Sequence, residues 1–292
     1  MSNLKLRLWA LGVVAAFTRR FYLPGTDRFL RMIHNPDIRQ TDHLDIVAKY
    51  DGHLRIHIDS SSFIEWSIFF YGYYERTLVR LMKRLLSPGC VAFDVGANIG
   101  CHTLIMSSLA GQHGKVVAIE PHPMVFKRLV DNIRLNNLSN VDPRRCALSD
   151  CCGRTTLFIP AEDDANQGKS SLYSHGDRGL CVMLTVDTVT LDSLMEEANY
   201  HRLDFLKIDV EGLEHKVLVG AMDSIVSHRP YVVFEYDQDT WKNAGQDFSA
   251  TSSLFRDLSY SMYLVGGQLS PIEYPLPTWA NILASPHPLK VS

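Results

Sequence analysis

No C-x-x-C pair occurs among the six cysteines, Cys90, Cys101, Cys146, Cys151, Cys152 and Cys181, so zinc-ribbon spacing is absent. Cys151 and Cys152 are adjacent, and chain neighbours rarely bridge to each other. No internal repeat and no low-complexity tract interrupts the 292 residues. Strong charge of either sign is also missing. The formal net charge of -3 gives no basis for bulk capture of nucleic acid or of an anionic surface. The apolar stretch Leu4 to Phe17 is shorter than the roughly 20 residues a membrane span needs, and it contains Lys5 and Arg7. It also lacks a small-residue cleavage site followed by a secreted-type, disulfide-forming domain. Reduced, structural thiols in a cytoplasmic protein are therefore expected.

What is present is ordinary for a folded enzyme. Hydrophobic residues make up 46% and charged residues 21%, enough for a full core. The length fits one large domain, or one domain with an accessory segment. Residues 1–70 read as an N-terminal extension, a helix followed by a β-hairpin. Leu4, Leu8, Leu11 and Ala15, with Trp9 nearby, form one apolar helix face. That face suits a helix docked on the domain. Lys5, Arg7, Arg19 and Arg20 also suit peripheral contact with a membrane interface. Residues 24–40 are a connecting stretch with a short helix near Phe29 to Ile33. Strand-like alternation then runs through residues 44–70, with Asp51-Gly52 as a hairpin turn between Ile46–Tyr50 and Leu54–Ile58.

From residue 71 to 292 the pattern is that of one larger domain. Tyr74, Leu78, Leu81, Met82 and Leu85 recur at helical spacing up to Ser87-Pro88-Gly89. Strands are expected at Val91–Val95, Lys115–Glu120, Val141–Leu148, Thr155–Ile159, Val182–Val186, Leu203–Asp209, Tyr231–Tyr236, Ser259–Val265 and Trp279–Ala284, the last at the sheet edge. Helices are expected at Asn98–Ala110, Pro123–Asn137 and Leu191–Ala198, and through Leu213, Val217, Ala221 and Ile225. A polar loop, Ala161–Arg178, could close over a substrate. Regular alternation of strand and helix implies an α/β fold with a doubly wound, mostly parallel sheet. Ligands of such sheets sit beyond the carboxyl ends of the strands, at the switch point.

Three segments put chemistry there. In Phe93-Asp94-Val95-Gly96-Ala97-Asn98-Ile99-Gly100 a buried strand enters a helix across a glycine turn. The spacing differs from the dinucleotide pattern G-x-G-x-x-G. An acid also precedes the first glycine by two, where a pyrophosphate would want bare amides. A cationic cofactor without phosphate suits Asp94 better. Glu120 ends the next strand, 26 residues later, followed by Pro121. A carboxylate there can accept both hydroxyls of a ribose, whether of a nicotinamide cofactor or of another nucleoside. The third segment, residues 204–214, is an apolar strand ending in Asp209, Glu211 and Gly212. Lys207 lies inside that strand and needs a partner if buried.

With these pieces in place, the chain resembles the FkbM-type family of class I S-adenosylmethionine-dependent methyltransferases. The resemblance rests on Gly72-Tyr73-Tyr74-Glu75, Pro88-Gly89, FDVGANIG at 93–100, AIEPHP at 118–123, Asn136, Ala147-Leu148-Ser149-Asp150, TLDSL at 190–194, LKIDVEGLE at 206–214 and Phe234-Glu235, covering roughly residues 45–240. It implies a Rossmann-like fold, S-adenosyl-L-methionine as cofactor and O-methylation of a small-molecule hydroxyl, such as one on a sugar or polyketide. It places Asp94, Gly96, Ala97, Asn98 and Gly100 around the methionine part of the cofactor, Glu120 and Pro121 at the ribose, and Ala147-Leu148 near the adenine. Glu75 and Asp209 are expected near the cofactor or the reacting centre. Cys101-His102 departs from the aromatic or small residues usual after the loop.

An alcohol acceptor must lose a proton. Asp209, Glu211 and Glu235, all expected at strand ends, are the candidate catalytic residues; His102, His122 and His215 are rivals. The same three acids could hold a hard cation, but no metal is assigned. The competing reading is an NAD(P)-linked oxidoreductase on a similar sheet.

Overall fold

Every second residue of the central strands is apolar and buried, and this two-residue period builds the sheet. The computed structural model describes residues 3–21, 23, 25–34, 45–59, 62–160 and 181–290. They divide into two compact units, one within Met1–Arg76 and one from Thr77 onward.

The first unit holds α1 (Asn3–Arg20), α2 (Thr26–Ile33), the hairpin β1 (Asp45–Tyr50) and β2 (Leu54–Asp59), and α3 (Phe63–Tyr71). The hairpin pairs as expected, with Tyr50 opposite Leu54 across Asp51 and Gly52. Helix α3 was expected to be strand-like. Its residues Glu65 to Phe70 are all buried, so no apolar stripe of either period shows. Ser62 starts it by accepting a hydrogen bond from the Glu65 N–H. Helix α1 docks on α3: Thr18 donates to the Phe70 carbonyl at 2.5 Å, and Arg19 to the Phe69 carbonyl at 2.8 Å. Leu11 and Ala15 are buried as expected, but Trp9 is 64% exposed and lies off the docked face. The side chains of Leu4 and Leu8 lie outside the described residues.

The second unit opens with α4 (Arg76–Leu85) and continues β3 (Val91–Val95), α5 (Cys101–Ala110), β4 (Lys115–Ile119), α6 (Pro123–Leu135), β5 (Val141–Arg144), β6 (Ala147–Leu148), β7 (Gly153–Pro160) and β8 (Cys181–Val189). After these come α7 (Leu191–Glu197), β9 (Phe205–Ile208), α8 (Glu214–Val219), α9 (Met222–His228), β10 (Tyr231–Asp237), α10 (Gln238–Asn243), α11 (Phe248–Asp257), β11 (Ser261–Val265), β12 (Leu269–Pro271) and β13 (Trp279–Ser285). The main sheet has eight strands in the order β12-β11-β13-β10-β9-β3-β4-β5. The five from β10 to β5 are parallel, and β13, β11 and β12 extend them antiparallel. The doubly wound α/β expectation therefore holds. Growth of the sheet reverses at β3, with β4 and β5 added on one side and β9 and β10 on the other.

Several boundaries differ from expectation. The strand expected at Val141–Leu148 divides into β5 in the main sheet and β6 in a small sheet ordered β6-β8-β7. The helix through Leu213 and Ile225 breaks into α8 and α9. Strand β13 sits between β10 and β11, not at the edge. Helices α10 and α11 and strand β12 were not anticipated. The loop Ala161–Arg178 lies outside the described residues. Among the described cysteines, Cys90, Cys101, Cys146, Cys151 and Cys152 are free thiols.

The two faces of the main sheet differ in character. Phe93, Val95, Val117, Ile119, Leu206, Ile208, Val232, Phe234 and Ile282 join a core with α7 to α11, where Phe234 stacks on Phe255 at 5.9 Å. The alternate residues face the other way and include Asp94, Lys207, Glu235 and Asn281. Asp94 lies beside Lys207, and Glu235 beside Asn281, on neighbouring strands.

The turn after β3 is pressed against the chain leaving β9. A Cβ on Gly96, whose φ is +73°, would fall 1.8 Å from the Asp209 carbonyl oxygen. The glycine thus admits the close approach of the chain leaving β9. Gly96→Ala is predicted to destabilise the fold by roughly 3 kcal/mol, combining overpacking with a strained φ. A urea midpoint equal to wild type would refute this close packing.

Candidate active site

The site lies where β3, β4, β9 and β10 end. Asp94 is fully buried. Its Oδ2 accepts a hydrogen bond from the Thr103 hydroxyl at 2.6 Å, and its Oδ1 lies 3.4 Å from Lys207 Nζ. Lys207 is itself buried and reaches two more acceptors, the Gly96 carbonyl and Asp209 Oδ2, each at 3.2 Å. One ammonium thus meets three oxygens, two from the segment of β3 and its turn and one from beyond β9. Lys207 needs a partner by its place in an apolar strand, yet it is not among the site residues expected from the sequence. A lysine between Leu206 and Ile208 in an apolar strand was the available signal.

Asp209 follows β9 and keeps 27% of its side chain exposed. Burial pushes its carboxyl up, but the Lys207 cation and hydrogen bonds from Glu235 and Lys207 outweigh it and hold the group below the usual range. Asp209 and Glu235 are therefore hydrogen-bonded carboxyl groups on adjacent strand ends. Glu235 also accepts from the Trp279 indole N–H at 2.5 Å. Glu211, half-buried, sits in the turn after Asp209 at a left-handed φ of 56°. Glu214 was not singled out from the sequence, yet it shapes this turn. Its Oε1 accepts from the Val210 and Gly212 N–H groups at 2.9 and 3.2 Å, and burial pushes its carboxyl up to about 8.

Glu120 stands just past β4. Its two oxygens accept from the Asn98 N–H at 3.0 Å and the His122 N–H at 2.9 Å. Each oxygen retains a lone pair, and 7% of the residue is exposed. Burial pushes it up to about 7, against the opposing pull of those two N–H groups. Pro121 adjoins it, half-buried. Ala147 and Leu148 form β6, both buried. Glu75 belongs to the first unit, with a φ of 48°.

The turn at 96–100 has no spare amide. The Gly96 and Ala97 N–H groups donate to the Ile119 carbonyl at 3.0 and 2.9 Å, and Gly100 donates to the Ala97 carbonyl at 2.9 Å. Asn98 donates to Glu120, and Ile99 to the Asn98 side chain at 2.7 Å. A pyrophosphate needs such groups open. This turn offers it none, with a carboxylate alongside.

The rival histidines have other tasks. His122 caps α6, its Nδ1 accepting from the Met124 and Val125 N–H groups at 3.2 and 3.3 Å. His215 hydrogen-bonds Thr251 at 2.8 Å. His102 is buried on α5; burial and the Lys207 cation bring it down to about 4, which makes a weak base at neutral pH. Among the described residues, no group of three or more His, Cys, Asp or Glu side chains is placed to hold a metal ion.

The model of the methyltransferase FkbM domain matches residues 94–262, more than half of the chain. The chain belongs to the FkbM methyltransferase family. Curated relatives of this FkbM-domain chain include the hexuronic acid methyltransferase AglP of Haloferax volcanii, 33% identical over 52% of this chain and 59% of its own length. Methyltransferase 1 of Beauveria bassiana is 36% identical over 44% of this chain and 57% of its own. The 31-O-demethyl-FK506 methyltransferase FkbM of Streptomyces tacrolimicus is 33% identical over 48% and 62%. The chain thus spans about six tenths of the length of these relatives. A crystal structure of the methyltransferase FkbM from Methylobacillus flagellatus is 18% identical with a TM-score of 0.44, over 68% of this chain and 43% of that one.

Lys207→Met in this FkbM domain would strand the Asp94 carboxylate without its cation. A loss of ~3–5 kcal/mol in urea unfolding is expected, as for other broken buried pairs. Adding Asp94→Asn should restore part of it. Strictly additive losses would count against the pair.

Proposed function

We propose that this protein is an S-adenosylmethionine-dependent methyltransferase acting on a hydroxyl of a small molecule, such as a sugar or polyketide. The observation that carries this reading is the turn at 96–100, whose five amides are all engaged while carboxylates ring the strand ends. Such a surface suits a cationic nucleoside without phosphate and disfavours the diphosphate of NAD(P). Family membership supports the same chemistry. Two relatives are named for a hexuronic acid and for a 31-O-demethyl acceptor. A cytoplasmic setting is part of the reading, supported by the free thiols.

The residues present fit that cofactor. Glu120 has one lone pair per oxygen left for the two ribose hydroxyls. Ala147-Leu148 and Pro121 would flank the base and sugar, and Gly96, Ala97, Asn98 and Gly100 shape the methionine side. Asp94, enclosed by Lys207 and Thr103, would act by holding Lys207 in place. When bound, the cofactor supplies an electrophilic methyl on a sulfonium. The protein's part is chiefly alignment, which can lower a barrier by ~7–11 kcal/mol. The Asp209–Glu235 pair would take up the hydroxyl proton as one coupled unit, with Glu211 beside it in the turn. General base assistance is worth roughly 10²–10⁴-fold.

Calorimetry with S-adenosylhomocysteine and with NAD tests the cofactor, and binding of NAD alone would end the proposal. Glu120→Ala should weaken S-adenosylhomocysteine about tenfold or more, the worth of a charge-assisted hydrogen bond. Glu235→Gln should leave that affinity intact and slow methyl transfer roughly 10²-fold or more; unchanged turnover would remove Glu235 from the chemistry.

The raised Glu120 carboxyl also predicts a pH dependence. Between 4.5, its ordinary value, and about 7, the folded state binds more protons than the unfolded one. Its contribution to stability therefore falls as pH rises through that window. Glu120→Gln should flatten that part of the stability profile, leaving the similar slope from Glu214. Affinity for S-adenosylhomocysteine should rise with pH through about 7 as Glu120 ionises. A flat affinity profile would argue against a ribose contact.

A further inference from the structure

Helix α1 has two apolar faces. Leu11, Ala15 and Thr18 are buried against α3. Trp9, Val13, Phe17 and Phe21 recur every fourth residue on the outside, 64%, 52%, 54% and 49% exposed. Phe17 and Phe21 lie ring to ring at 5.3 Å. Helix α2 repeats the arrangement, with Leu30 buried while Phe29 and Met32 are 54% and 79% exposed. An exposed apolar stripe of this kind on a helix marks an interaction site.

Charge says what the surface fits. The first 25 residues carry Lys5, Arg7, Arg19 and Arg20 and no Asp or Glu, although the chain as a whole is net negative. Arg19 turns inward to the carbonyls of α3. Arg20 stays exposed, 5.8 Å from the Phe21 ring centroid. On α2, Arg28 and Arg31 are exposed, while Asp27, its single acid, accepts a hydrogen bond from Tyr71.

We infer that α1 and α2 form a docking surface for an anionic lipid bilayer. The aromatic and aliphatic side chains would enter the headgroup boundary, with the arginines against lipid phosphates. A second copy fits less well. In a two-fold dimer the same cationic patch would meet itself, with Asp27 already engaged. No helix among the described residues is long and apolar enough to cross a membrane, so α1 lies on the bilayer rather than through it.

Sedimentation of the full chain with vesicles tests this. The chain should pellet with vesicles of phosphatidylcholine and phosphatidylglycerol, far less with phosphatidylcholine alone, and binding should weaken as salt rises. Arg20→Gln with Arg28→Gln should weaken binding roughly twenty-fivefold, from about fivefold per cation. Trp9→Ser with Phe17→Ser should weaken it by at least about tenfold, from the apolar area lost. Thermal melting of both variants should match wild type, since these side chains are exposed. Failure to bind the mixed vesicles, equal binding to neutral ones, or undiminished binding by both variants would overturn the inference. So would a lipid-independent dimer that the Trp9→Ser, Phe17→Ser variant dissolves.

Discussion

A single ammonium buried within the sheet fixes the geometry around it. Removing a lysine from water costs several kcal/mol unless its protons are met. Lys207 meets that demand with Asp94 on β3, the Gly96 carbonyl in the glycine turn and Asp209 beyond β9. The acceptors come from two segments, β3 with its turn and the chain leaving β9, so satisfying the charge also sets the spacing between them. Asp94 extends the network through Thr103 to α5, and Asp209 extends it to Glu235 on β10. Position of the carboxyl pair relative to the turn is therefore a consequence of neutralising one cation.

The sheet separates stability from chemistry by its two-residue period. One set of side chains builds a dry core with α7 to α11. The alternate set carries the ionic groups towards the strand ends. Mutations on the first face act through packing, and those on the second through charge and hydrogen bonding. Glu214 and Glu120 join the two functions. Each carboxylate accepts two backbone N–H groups and so builds a turn, while burial raises its proton affinity.

Much of this was legible in the sequence, where signals were local. Short apolar runs mark β3, β4, β9 and β10, and acids at their ends mark the candidate site. Helix α3 was missed because it is buried nearly all round, which erases periodicity. Helices α10 and α11 had readable starts, since the Asp237 and Asp247 side chains accept from Thr240 and Ser249. Their short lengths left little stripe to find. Strand β13 was assigned to an edge because pairing order is set by contacts distant in sequence. Trp9 lies off the face expected for it because α1 offers apolar residues in both directions. Lys207 read as an anomaly in an apolar strand, and its significance emerged only with three partners in view.

The saturated turn at 96–100 bears on which adenosine compounds the proposed site would accept. ATP and its relatives share the nucleoside and are abundant wherever such a chain would work. Their phosphates would arrive at backbone already committed and at carboxylates of like sign. Discrimination would then come without a gate, through hydrogen bonds the fold makes with itself.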